Sequence, residues 1–117
     1  MALAGCAEER ITLKPAPGPP TGVDGRYRGT VRLVRANDRS CPRSGPRLLQ
    51  VTNGRIALSY NAGPRQRQEL VTTVESDGAI KASDGVGSMD GRVADGRLDL
   101  TIASATCEHR WSMVHVP

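Results

Sequence analysis

The chain has 117 residues, a formal net charge of +4 and a hydrophobic fraction of 38%. That length allows one domain at most, and no run reaches the roughly 18 apolar residues that a membrane-crossing helix needs. Aromatics make up only 3% (Trp111, Tyr27 and Tyr60, with no Phe), so a core must be assembled from Leu, Ile, Val, Met and Ala.

At the start of the chain, Leu3-Ala4-Gly5-Cys6 resembles the bacterial lipobox. Its pattern is Leu, a small residue, Gly or Ala, then Cys. Small residues give the signal peptidase close access to the backbone. The resemblance implies a diacylglycerol on the Cys6 thiol and a location in the bacterial cell envelope, on the periplasmic side, with the outer membrane favoured. Only Met1 and Ala2 precede the box. A basic and then apolar coding stretch upstream of Met1 is therefore expected.

Residues 1–6 read as the remnant of a lipoprotein signal peptide, and 7–24 as a tether. Within the tether, Lys14-Pro-Ala-Pro-Gly-Pro-Pro-Thr21 is Pro-rich, hence extended and semi-rigid. A lipid-anchored domain needs such a spacer to stand clear of the bilayer.

From Gly25 to the end, 25–117, the apolar period becomes two. Tyr27, Val31 and Leu33 alternate with Arg28, Thr30 and Arg32. Leu48 to Val51 follows a loop containing Cys41-Pro-Arg-Ser-Gly-Pro46. Asn53-Gly54 signals a hairpin leading to Ile56, Leu58 and Tyr60. Asn61-Ala-Gly-Pro64 breaks the pattern before the β-branched stretch Glu69 to Val74. Asp77-Gly78 turns into Ala79 to Ser83, and Met89 to Val93 comes next. Asp95-Gly96 turns into Leu98, Leu100 and Ile102. The last stretch runs from Cys107 to Val114, with Cys107, His109, Trp111 and Met113 on one face. About eight short strands at 8–12-residue spacing are the mark of an all-β sandwich or barrel. Successive tight turns favour an antiparallel up-and-down meander. Closing it into a small barrel would pair the first strand with the last and remove the exposed edges.

With Cys6 assigned to lipid, Cys41 and Cys107 form an even pair. A bond between them would close a loop of 65 intervening residues, worth about 4 kcal/mol in the chain-entropy model. Free buried thiols, or a metal held by Cys41, Cys107 and His109 without CxxC spacing, are the competing readings.

Charge is unevenly placed. Seven arginines and one acid lie between Arg26 and Arg47, whereas seven acids face Lys81, Arg92 and Arg97 between Glu69 and Asp99. Either the two halves neighbour and compensate each other, or Arg26, Arg28 and Arg32 project from one face of the first strand to meet anionic lipid or polysaccharide.

The stretch from Asp24 to Val114 resembles small envelope proteins of alphaproteobacterial type, a lipoprotein family of unknown function. The shared segments are Asp24–Leu33, Asn53–Ile56, Asp95–Leu98 and Cys107–Ser112. More distantly, Gly25-x-Tyr27 and Arg110 are similar to the Gly-x-Trp and closing Arg of lipocalins. Bacterial metalloprotease inhibitors also use a small eight-stranded barrel, although their Trp pattern is absent here.

The residues offer little for catalysis. The two histidines, His109 and His115, lie on or beside the last strand, and no nucleophile, base and orienting group are grouped in the sequence. Asp24, Asp77, Asp84, Asp90 and Asp95 each precede Gly and read first as turn formers. The spacing of the last four matches neither the EF-hand nor the nonapeptide repeat. Neither metal nor cofactor is expected, and the scarcity of aromatics among the arginines argues against nucleic acid. The expected function is therefore non-enzymatic: an envelope lipoprotein with a binding or structural role, with anionic envelope components as candidate contacts. One alternative is a lipocalin-like carrier holding a small apolar ligand beside Tyr27, His109 and Trp111, for which an interior cavity of about 300 Å³ or more is expected. The other is an inhibitor acting on an envelope enzyme through the Ser40–Arg47 loop, with an unknown protein partner.

Overall fold

A computed structural model describes residues 22–117. The lipobox with Cys6, and the tether up to residue 21, lie outside the described residues. The rest is eight antiparallel strands: β1 (Gly25–Ala36), β2 (Gly45–Val51), β3 (Arg55–Gly63), β4 (Gln66–Thr73), β5 (Ala79–Ser83), β6 (Gly87–Ala94), β7 (Arg97–Ser104) and β8 (Cys107–His115). Among the described residues there is no helix.

The chain runs up and down. Its lower end carries the start of β1 and the turns after β2, β4 and β6. Its upper end carries the β1–β2 loop and the turns after β3, β5 and β7. Strand β1 pairs with β8 from Tyr27↔His115 to Ala36↔Cys107, with a bulge between Leu33 and Arg35. First and last strands are thus neighbours, the pairing that closure into a barrel predicts.

Closure into a barrel does not follow. The strands form a six-stranded sheet in the order β2-β1-β8-β7-β6-β5 and a separate β3-β4 hairpin. Strand β2 leaves its sheet through a turn with a single bridge, Thr52↔Arg55. Thr72 Oγ1 donates to the Lys81 carbonyl (2.8 Å) across the gap between β4 and β5. An eight-stranded barrel has an interior that side chains must fill, and here three inward glycines face neighbours so close that not even a methyl fits. A Cβ on Gly87 would enter the Tyr60 ring, so the hairpin lies directly on the sheet at that point. A Cβ on Gly29 or Gly91 would strike the backbone of the neighbouring strand at Ser112 or Asp99, which lets the sheet coil tightly.

The core lies between sheet and hairpin. Tyr27, Leu49, Val51, Ile56, Leu58, Leu70, Ile80, Met89, Val93, Leu98, Leu100 and Met113 are all buried there. Aliphatic side chains dominate it, as composition requires.

Two turns form as their dipeptides predict. Asn53 and Gly54 have φ of 53° and 73°, Asp95 and Gly96 of 52° and 77°; both residues of a type I′ turn need positive φ. The stretch around Pro64 differs from expectation. Strand β3 continues through a bulge between Asn61 and Gly63, and β4 already begins at Gln66. Pro64-Arg65 makes the turn between them, where a proline loses nothing by lacking an N–H.

Candidate functional site

Two regions carry chemistry, one on the outer face of the sheet and one beneath the hairpin.

On the outer face, the alternation of β1 places Arg26, Arg28 and Arg32 on the solvent side. Arg28 stands opposite Leu48 on β2 and opposite Val114 on β8. Both aliphatics are strongly exposed, 67% and 48%. Arg26, Arg28, Leu48 and Val116 line one groove together with Pro46 and Arg47. None of these is an acid, and Arg26 and Arg28 make no ion pair among the described residues. Further up, Arg32 is directly opposite Arg110, and Arg110 is opposite Thr101. Two like charges face to face destabilise a sheet unless something lies between them. Two acids of the later strands, Asp90 and Asp99, share a second groove with Arg32 and Arg110. They also stand opposite Lys81 and Arg92, so at this height the basic and acidic halves neighbour each other. Asp99 also pairs with Arg97 at 3.6 Å.

Beneath the hairpin, at the upper end, is a cleft of about 180 Å³. Val31, Leu58, Ile102 and Trp111 supply apolar wall, Arg47 and Arg67 supply cations, and Tyr60, Asn61, Ser104, Cys107, His109 and Pro42 complete the lining. Its volume falls below the 300 Å³ expected of a lipocalin-like carrier. His109 and Trp111 meet here. Tyr27 does not; it is buried toward the lower end, edge-on to His115 at 5.0 Å between ring centres. Its hydroxyl donates to the Val23 carbonyl, and burial followed by the Asp24 charge raises its pKa.

A disulfide joins Cys41 to Cys107, with Cα atoms 5.7 Å apart, and closes the upper end. The sulfurs are used on each other, which removes the three-ligand metal reading. Around the bond, the β1–β2 loop is held from several sides. His109 Nε2–H donates to the Pro42 carbonyl at 2.8 Å. The Leu33 amide donates to Ser44 Oγ at 2.8 Å. Asn61 Nδ2 donates to Ser40 Oγ at 2.6 Å. The Ser40–Arg47 segment is thus a braced strap.

Asn61 is the junction that the sequence reading missed. It is buried; its side-chain oxygen accepts from Thr106 Oγ1 at 2.7 Å and its main-chain carbonyl accepts from Ser104 Oγ at 2.6 Å. Read as a turn residue, it carried no signal of this role. Asp24 was likewise read as a turn former. Its carboxylate accepts the amides of Asn53 (2.8 Å) and Gly54 (2.7 Å) in another turn, tying the start of β1 to the β2–β3 hairpin.

Beside the cleft, the Tyr60 hydroxyl is 2.5 Å from Asp84 Oδ2 and 2.9 Å from Gln68 Oε1. A phenol has one proton, so it donates to the charged carboxylate, and the Gln68 amide, rotated to present its NH₂, donates back. Burial, with help from Asp84, pushes Tyr60 up to about 12. Asp84 is held below the usual carboxylate range by the Gly87 amide first, then by Tyr60 and the Val86 amide. Both histidine rings are committed to carbonyls, His115 Nε2–H to that of Asp24 at 2.9 Å. Among the described residues no three His, Cys, Asp or Glu side chains gather as a metal site would require.

No family model, no curated protein and no solved structure matches this chain.

Proposed function

We propose that this is a non-enzymatic lipoprotein of a bacterial envelope, anchored through Cys6, whose sheet lays an arginine-and-aliphatic face on anionic lipid. The carrying observation is the row Leu48–Arg28–Val114, in which exposed aliphatics flank an arginine that makes no ion pair among the described residues. Side chains of this kind suit an interface where apolar carbons reach the acyl boundary and cations meet phosphates. Position supports the same reading. The chain comes into the domain at Gly25, beside Arg26, so an anchor upstream keeps the domain within reach of a bilayer surface across the tether. The Cys41–Cys107 disulfide fits an oxidising compartment, and the committed histidine rings support a role without catalysis.

The test is flotation of the domain, without lipid, on phosphatidylglycerol–phosphatidylcholine vesicles in low salt. Each basic residue near such a surface is worth about 1 kcal/mol. Replacing Arg26, Arg28 and Arg32 by Gln is therefore expected to weaken retention roughly 100-fold. Added salt should do the same to the parent chain. Equal retention of the variant, or equal retention on pure phosphatidylcholine, would remove the proposal.

A further inference from the structure

The upper cleft shares only Arg47 with the groove on the arginine face, and its chemistry points elsewhere. Among the described residues, one buried side-chain nitrogen or oxygen has no hydrogen-bond partner: the indole Nε1 of Trp111. A buried donor left unmade is costly, and native structures rarely carry one without reason. Trp111 lines the cleft, as do two cations, Arg47 and Arg67, and no acid does so. Arg47 donates to the carbonyls of Pro46 and Arg43 at 2.8 Å each. A guanidinium has five N–H groups, so three remain for a ligand. The remaining wall includes Val31, Leu58 and Ile102.

From this we infer a binding site for a small apolar monocarboxylate, one ring or a short chain with a single carboxylate. The volume of about 180 Å³ sets the size, since a dry cavity of about 150 Å³ admits a benzene ring. The apolar body rests on Val31, Leu58 and Ile102. The carboxylate takes N–H groups from the two arginines, whose flat fork matches it in pairs, and an oxygen satisfies the indole. An apolar ligand without an acceptor would leave the indole unanswered and gain nothing from the two cations. This inference does not depend on the lipid-facing proposal.

The chain has one tryptophan, so its indole N–H gives a single nitrogen-correlated NMR resonance. Benzoate and hexanoate are titrated into the parent chain with benzamide as the neutral match. The indole resonance is expected to shift and saturate with both acids by about 10 mM, and benzamide to bind about tenfold more weakly. Arg67→Gln, on an exposed position, should lower benzoate affinity about tenfold with the melting temperature unchanged. Arg47→Gln is the second variant, read the same way. A motionless indole resonance with both acids would overturn the site. Equal binding of benzamide and benzoate, or unchanged affinity in both arginine variants, would overturn its selectivity for an anion.

Discussion

The lower and upper ends of this sheet are closed by different means. At the lower end, two-residue turns with left-handed backbone, Asn53-Gly54 and Asp95-Gly96, reverse the chain, and the Asp24 carboxylate pins one of them. The upper end has two-residue turns as well, at Pro64-Arg65 and Ala105-Thr106, but a longer loop spans Asn37 to Ser44 between β1 and β2. A disulfide and the Asn61 junction hold it there. Local chemistry suffices where connections are short, because each turn closes few residues. Where a loop must be held over a cleft, contacts distant in sequence do the work. The upper end is therefore the one that should open first when a single link is cut.

The largest effect should come from that link. Cys41→Ala with Cys107→Ala, or reduction of the parent chain, releases a crosslink between residues 66 apart, a loss of about 4 kcal/mol. Amide exchange is the measurement that sharpens the contrast. Protection should fall first at Asn37–Ser44 and Ser104–Cys107, while the Asn53-Gly54 turn keeps its own. Uniform loss at both ends would break the distinction. Next is Asn61→Ala. It strands the buried Gly63 amide and removes the bonds to Ser40 and Thr106, which keep partners in Asp38, Ser104 and the main-chain carbonyl of residue 61, so the cost should be about 1–2 kcal/mol by chemical denaturation. The same substitution at an exposed turn residue would cost a fraction of that. Gly54→Ala probes the lower end in the same assay. At φ of 73° a side chain is strained, and the loss should be about 1 kcal/mol.

This contrast also decides how much could be read from the residues. The lower end was legible. Asn-Gly and Asp-Gly announce their turns through the need for positive φ, and period-two alternation announces the strands between them. The pairing of β1 with β8 follows from a closure that is otherwise incomplete, and the cysteine pair from parity. Closure was misread because it depends on the shape of the interior. Period two says that Gly29, Gly87 and Gly91 face inward; it does not say that each stands against a neighbour's backbone or the Tyr60 ring. The cleft was half legible. His109 and Trp111 share a face and line the same cleft, but Tyr27 shares only their apolar character. It belongs to a strand running in the opposite direction, where its inward position lies near the far end. Arg47 and Arg67 could not be found at all. They come from β2 and β4, which the topology places in different sheets, and no periodicity relates them.

The smallest effect lies at the edge of the cleft, in the bond from Tyr60 to Asp84 across to the β5–β6 turn. Tyr60→Phe keeps the ring against Gly87 and removes the hydroxyl. A hydrogen bond of this kind contributes about 1 kcal/mol near neutral pH. Its pH dependence has a definite sign. Tyr60 is raised from 10.0 to about 12 in the folded chain, so the unfolded chain gives up this proton first as pH rises. Stability from this group is complete below pH 10 and drains away toward 12. Asp84 works from the other side. Its pKa is lowered, so its share is complete above the ordinary carboxylate value and is lost as pH falls through the folded one. Subtracting the variant's denaturation curve from the parent's cancels titrations common to both, Tyr27 included. The difference should hold steady from pH 6 to 9 and narrow between 10 and 12. Parallel curves through that upper window would mean that the phenol is not bonded as described, and the upper end would then rest on the disulfide and Asn61 alone.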